Sequence, residues 1–351
     1  MARTTDRVVR AVSRRLWQRD RLQMRVADAL MTAAEGASRT RRSRRSPAVR
    51  SPKWAGFDSV LCPIDFSDGS RQALAYAEAL ALRGGARLTV VYINDPLLVA
   101  AAAAALHDRN VVKDSGRELE ALVDASLSSR AKATLQVAVR VAVGNPAGQI
   151  LGIAEREHAG VIVVGTHGLT GAPRVVAGST TLGVLQHAAV PVLAVPAGTP
   201  GPRRSWPGRR IVAAVDLDGE TARELDAAVR IAHWFRASLL VVHVVNGRAA
   251  PPWLRAWLRG QEREHEAAVL ERLEALTVKA AGAVRAESRV LRGEVASAVG
   301  SLAAREKSGL VITALRDRQS WLGAARGSIS YRVLSRASTP VLAIPPGWPR
   351  R

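Results

Sequence analysis

Five residues in the middle of the chain have the types and spacing to hold a phosphate. Gly165 and Gly168 leave an apolar run, Val161-Ile162-Val163-Val164, and Gly178-Ser179-Thr180 follow after nine further residues. Glycines at a strand exit let the backbone approach a ligand closely and take φ > 0. A helix start offers unbonded N–H groups and a partial positive charge. The pattern predicts a strand, a glycine loop, a helix running to about His187, and a closing strand over Pro191–Val195. The bland alternative is a glycine-rich βα turn that binds nothing.

The elements that must position this loop are legible on either side of it. Ser59-Val60-Leu61-Cys62-Pro63-Ile64 reads as a short buried strand ending at Asp65, with a helix from about Gly69 to Arg83 and a second strand from Arg87 to Ile93. After Asn94-Asp95-Pro96 one long alanine-rich helical stretch is expected to about Ser128, then a strand from Thr134 to Val143 and a helix from Pro146 to near His158. Strands alternating with helices of this length argue for right-handed βαβ units and a parallel sheet covered on both faces. Ligands of such sheets sit beyond the carboxyl ends of the strands, where strand order reverses. Asp65, Ile93 and Gly165 all lie at such ends.

The pattern then repeats. Ile211-Val212-Ala213-Ala214-Val215-Asp216 matches the first strand and its terminal Asp, and Leu239–Val245 the second. Leu310–Thr313 matches the fourth, and Pro340-Val341-Leu342-Ala343-Ile344-Pro345 nearly duplicates Pro191-Val192-Leu193-Ala194-Val195-Pro196. A register shift of about 150 residues is the size of a duplicated domain. The fold class expected is α/β: two tandem doubly wound domains, each a five-stranded parallel sheet flanked by helices, over 54–198 and 209–347. The Pro- and Gly-rich 199–208 joins them, and 1–53 precedes them.

Gly165, two residues, Gly168, nine residues, then Gly178-Ser179 resembles the nucleotide-binding signature of the universal stress protein family, within the adenine-nucleotide α-hydrolase-like folds. The resemblance implies a Rossmann-like fold and ATP, with Mg2+, as ligand. It implies that Pro63-Ile64-Asp65 is the first strand exit, with Asp65 on the ribose or metal side. Ile93 would read adenine through its backbone, Val164 would line the base and ribose pocket, and Gly165 and Gly168 would lie beneath sugar and phosphates. Gly178, Ser179 and Thr180 would offer N–H groups to the phosphates, Ser179 also its hydroxyl. A strand-end Asp can equally cap the following helix, and Ser179 or Thr180 can be an ordinary N-cap. His167 has no partner identifiable from sequence and reads as a loop histidine.

In the second copy Ala314 falls at the Gly165 position and Asp317 at the Gly168 position when Gly327-Ser328 is aligned with Gly178-Ser179. A carboxylate facing a phosphate is repulsive, and non-glycine residues resist positive φ. This site is expected to be weak or dead, the counter-reading being a different phosphate grip by Arg316, Arg318 or Arg326. The resemblance also implies that the closing strands of the two copies pair across a domain or subunit interface, as an internal pseudo-dimer or a homodimer.

Composition bounds the rest. Residues 1–53 carry 15 Lys/Arg against four acids, so +11 of the formal +21 lies there. A polyanion contact through this arm, with nucleic acid or an anionic membrane, is one reading and a solvated tail the other. The longest apolar run, Leu97–Leu106, is half of what crosses a bilayer. Cys62, the sole cysteine, lies in an apolar strand and suits a reducing compartment, the cytoplasm. There is no P-loop and no G-x-S-x-G elbow, and Val269 replaces the second His after His265-Glu266, so neither a metal site nor a catalytic base is expected. Trp253 and Trp257 read as a packed helix face. The function expected is an ATP-binding tandem stress protein acting as a nucleotide-dependent switch. A nucleotide-free scaffold tethered by its basic arm and a weak ATPase are the alternatives.

Overall fold

The first strand, β1 (Ser59–Ile64), is apolar and flanked on both sides because it is the middle of its sheet. It pairs in parallel with β2 (Arg87–Asn94) on one side and β4 (Val161–Gly165) on the other. β2 continues to β3 (Val137–Val143), and β4 to β5 (Val192–Val195). The computed structural model describes residues 54–105, 110–166, 178–245, 252–315, 333–334 and 337–348. The second half repeats the plan with β6 (Arg210–Ala214), β7 (Ser238–Val245), β8 (Ala286–Arg292), β9 (Val311–Ala314) and β10 (Val341–Ile344). Within each half all pairs are parallel, whereas β5 and β10 pair antiparallel through Val341↔Ala194, Leu342↔Leu193 and Ala343↔Val192. One ten-stranded sheet results, in the order β3-β2-β1-β4-β5-β10-β9-β6-β7-β8. The expected doubly wound α/β fold is present twice, and the closing strands pair as the resemblance implied.

Helices cover the sheet because their small and branched residues recur at helical spacing. In α1 (Asp68–Gly84), Ala73, Leu74, Ala77, Leu80 and Ala81 form the buried face. The Ser67 hydroxyl caps its start by accepting from the Ser70 N–H (3.2 Å), and Gly85 ends it at φ 63°. The helical stretch expected from Pro96 to about Ser128 is two helices, α2 (Pro96–Ala105) and α3 (Val111–Ser126), and a further short helix, α4 (Ser129–Thr134), follows it. Leu127 and Ser128 are extended, the Ser128 hydroxyl accepts from the Ala131 N–H (3.2 Å), and the same hydroxyl donates to the Glu78 carboxylate of α1. That cap starts a short helix where no element was expected, so β3 begins at Val137 rather than at Thr134. The remaining helices are α5 (Pro146–Arg156), α6 (Ser179–His187), α7 (Thr221–Phe235), α8 (Pro252–Ala281) and α9 (Val295–Arg305). Trp253 and Trp257 lie on α8.

The two halves share one core. Leu61, Ile162, Val164 and Ala194 of the first belong to the same apolar cluster as Val341, Val311 and Val212 of the second. On the sheet's other face the ends of α1 and α7 meet. Arg83 lies over the rings of Trp234 (5.4 Å) and Phe235 (4.8 Å) and donates to both carbonyls, at 3.2 and 2.6 Å. This cation at a helix C-terminus satisfies the orphan carbonyls of α7. Trp206 packs edge-on against Tyr76 and Phe235, and its indole N–H donates to the Gly309 carbonyl (2.8 Å). Trp54, Phe57, Trp234 and Trp348 complete an aromatic cluster drawn from both ends of the described chain.

Tyr76 is 3% exposed, donates its hydroxyl proton to the Pro200 carbonyl (2.8 Å), and is pushed up to about 12 by burial. A folded value above the unfolded one means stability is fully present below about pH 10 and declines as pH rises toward 12. Tyr76→Phe is expected to cost about 0.5–1.5 kcal/mol at pH 7. Urea titrations across the alkaline range should show a shallower decline in the variant than in the parent.

Candidate functional site

Between β1 and β4 the winding of the first half reverses, so their carboxyl ends border a crevice. Pro63 deepens it. The β1–β4 ladder holds Val60↔Val161 and Leu61↔Ile162 and stops, while β1–β2 pairing continues to Ile64↔Tyr92. Proline has no N–H to give to a ladder. At the equivalent place in the second half stands Ala214, and there the β6–β9 ladder runs on through Ala213↔Ile312 and Ala214↔Thr313. The β1–β4 ladder therefore stops two residue pairs before the point that the β6–β9 ladder reaches.

On one wall, Asp65 is half-buried and bound into the start of α1. Its Oδ1 accepts from the Ser67 N–H (3.1 Å) and the Ser67 hydroxyl (2.5 Å), and its own N–H donates to Ser70 Oγ (3.3 Å). The capping role is thus realised indirectly, through Ser67, and engages Oδ1. Phe66 takes φ 62°, a conformation uncommon for a large side chain, and its ring packs against Tyr92 at 4.9 Å. Burial raises the Tyr92 phenol above its ordinary value, and the carboxylates of Glu118, Asp65 and Asp95 add to this. The rim beside β2 is consequently acidic.

Ile93 and Val164 are buried, 9% and 3% exposed, within the core cluster under the crevice. What Ile93 can offer a ligand is its backbone, and the Val164 side chain is floor rather than open lining. Gly165 has a reason to be glycine that involves no ligand. A Cβ there would lie 2.7 Å from the carbonyl carbon and oxygen of Gly69, so the glycine lets the first turn of α1 rest on the end of β4. In the second half Ala314 carries that Cβ, and α7 starts at Thr221, two positions later than α1 by the same register.

Across the crevice, Gly165 and Thr166 tie down the start of α6. The Gly178 N–H donates to the Thr166 carbonyl (2.8 Å) and the buried Thr181 hydroxyl to the Gly165 carbonyl (2.8 Å). The Gly178 amide is therefore committed to the protein, a correction to the expectation that it would face phosphate. The amides of Ser179 and Thr180 remain as first-turn donors of α6, with Ser179 exposed. Gly168 and His167 lie outside the described residues, as do Asp317, Gly327, Ser328, Arg316, Arg318 and Arg326. The structure thus brings Pro63, Asp65, Ile93, Val164, Gly165, Gly178, Ser179 and Thr180 to one end of one sheet. Sequence reasoning passed over Gly69, Thr181 and the Phe66–Tyr92 pair. Gly69 stands four residues from Asp65 and Thr181 one from Thr180. Among the described residues no group of three His, Cys, Asp or Glu is placed to hold a metal ion.

The family profile described as the universal stress protein family matches residues 56–196 and again 208–345. The chain belongs to the universal stress protein family. A universal stress protein of Mycolicibacterium smegmatis is 25% identical over 297 residues, covering 82% of this chain and 97% of that one. Universal stress protein YxiE of Bacillus subtilis is 29% identical over 149 residues, 40% of this chain and 99% of its own length. Among solved structures, a universal stress protein from Archaeoglobus fulgidus shares the fold with a TM-score of 0.54 at 18% identity, covering 83% of this chain and 99% of that one. No helix among the described residues of this universal stress protein is long and apolar enough to cross a membrane.

Gly165→Ala is expected to lower stability by about 1–3 kcal/mol, since backbone atoms of α1 must move to admit the methyl group. The loss should appear in urea titrations without any added ligand. An unchanged midpoint would mean that α1 does not rest on this glycine.

Proposed function

We propose that the first half binds an adenine nucleotide, ATP with Mg2+, and that the protein acts in a stress response as a nucleotide-dependent switch or interaction partner. The observation that carries this reading is the switch point between β1 and β4, where the ladder ends before Pro63 and the first-turn amides of α6 border the strand ends. In this reading Ile93 contributes its backbone to adenine, and Asp65 faces ribose or the metal ion that accompanies the phosphates. Ser179 and Thr180 take the phosphates together with Gly168. Gly165 serves mainly by bringing α1 and β4 together. Mg2+ arrives with the nucleotide and offsets repulsion between phosphate and the acidic rim of Asp65, Asp95 and Glu118. The second half, with its longer ladder and Ala314, is a partner that holds nucleotide weakly or not at all. Cys62, buried in β1, fits a reducing compartment such as the cytoplasm.

Calorimetric titration of the full chain with ATP and Mg2+ is expected to give one site per chain, lost in Gly168→Asp. Pro63→Ala, which returns an N–H to β1, should weaken binding by letting the β1–β4 ladder extend. Two sites would mean that the second half is competent. No binding by the parent would remove the nucleotide reading and leave the scaffold role in front, whereas linear turnover of ATP would make the protein an ATPase.

A further inference from the structure

The end of the sheet opposite the crevices tells the two halves apart by charge. In the first half, the amino ends of β1, β2 and β3 border a cleft of about 550 Å3 lined by Asp58, Ser59, Arg87, Thr134, Gln136 and His158. Backbone hydrogen bonds identify the equivalent positions in the second half one by one. The Arg87 N–H donates to the Asp58 carbonyl (3.1 Å) as the Ser238 N–H does to Arg209 (2.9 Å), so Arg209 stands where Asp58 does. Leu88 N–H to Gln136 and Leu239 N–H to Arg285, both 2.9 Å, put Arg285 in place of Gln136. Gly85 and Arg236 follow their helices at φ 63° and 56°, and His158 and Lys307 follow theirs at 49° and 52°. An acid, a glycine, an amide and a histidine have thus become three arginines and a lysine on one unchanged scaffold.

These four side chains are exposed. The acids beside them are already engaged: Arg210 binds Glu306 (2.8 Å) and Glu287 (3.0 Å), and Arg289 binds Glu306 (2.6 Å). Arg285 reaches Glu287 only at 3.6 Å with its side chain 81% exposed, and among the described residues no ion pair engages Arg209, Arg236 or Lys307. Arg203 and Arg204, both exposed, sit in the turn that leads into Arg209. The asymmetry extends to whole halves: residues 54–198 carry 11 Lys/Arg against 12 acids, and residues 199–351 carry 25 against 14. A net −1 and a net +11 on the same fold cannot be a requirement of that fold.

We propose that the amino-end face of the second half, built by Arg209, Arg236, Arg285 and Lys307 with Arg203 and Arg204 beside them, binds the phosphate backbone of nucleic acid. The guanidinium fork matches phosphate oxygens two at a time, and five of the six cations are arginines. Backbone contacts of this kind are independent of base sequence. A bilayer is the poorer partner, because interfacial binding needs apolar side chains to insert. The exposed large apolar side chains among the described residues are Leu97, Leu98, Val143 and Val278, and of these only Val278 lies on an element, α8, that ends near this face.

The first half supplies the test variant, since its own residues are known to suit these backbone positions. Full-length protein and the variant Arg209→Asp/Arg236→Gly/Arg285→Gln/Lys307→His are titrated against a fluorescently labelled mixed-sequence DNA duplex at several salt concentrations. The slope of log K on log salt is expected to become shallower by about 0.9 for each phosphate contact removed, roughly 3–4 for the set. Arg203→Gln/Arg204→Gln, confined to an exposed turn, should remove up to roughly 2 more and serves if circular dichroism shows the fourfold variant unfolded. Unchanged affinity and slope in both variants would overturn the proposal and assign any binding to residues 1–53. Binding to vesicles containing phosphatidylserine without binding to the duplex would also overturn it.

Discussion

The antiparallel pairing of β5 with β10 is the constraint from which the rest of the architecture follows. Each strand closes a parallel sheet, and each alone would present a row of unpaired N–H and C=O groups at a fully apolar edge. Pairing them satisfies both rows and forces a local twofold relation, because two parallel sheets joined edge to edge through an antiparallel pair must be turned about an axis between them. That relation brings the end of α1 beside the end of α7, where Arg83 can serve the carbonyls of Trp234 and Phe235. It also carries the core of one half into the core of the other.

Much of this was legible in the sequence because apolar runs of four to six residues between turn signals have few other structural homes. The repeated Pro-Val-Leu-Ala pattern marked both closing strands, and the glycine spacing marked the crevice. The short helix after Ser128 was hidden because its cap, which bonds the Ala131 N–H, is held in place by Glu78, 50 positions away. Gly165 shows a different kind of concealment. Its spacing pointed toward a ligand, but the neighbour that a methyl group would strike is Gly69, a contact no local pattern contains. Gly178 was read correctly as the helix boundary, yet its amide bonds Thr166 across a loop that sequence alone could not close.

Duplicate domains also act as controls for one another. Where Pro63 interrupts a ladder, Ala214 lets the corresponding ladder proceed. Where Gly165 admits a helix turn, Ala314 stands beside a helix that begins later. These are backbone effects of single residues, one on a ladder and one on a helix start. The exchanges that place Arg209, Arg236, Arg285 and Lys307 lie at the opposite end of the strands, so the two sets of differences occupy separate surfaces.

Joining the halves through one short linker changes the law that governs their association. Two separate chains that pair through an edge strand do so with an affinity, and dilution separates them. Here the partner edge is held at an effective concentration set by a short tether, in the millimolar range or above. The β5–β10 seam is therefore indifferent to how much protein is present. Unlike a symmetric dimer, it also obliges the first half always to meet the second, so no population of mismatched pairings has to be sorted.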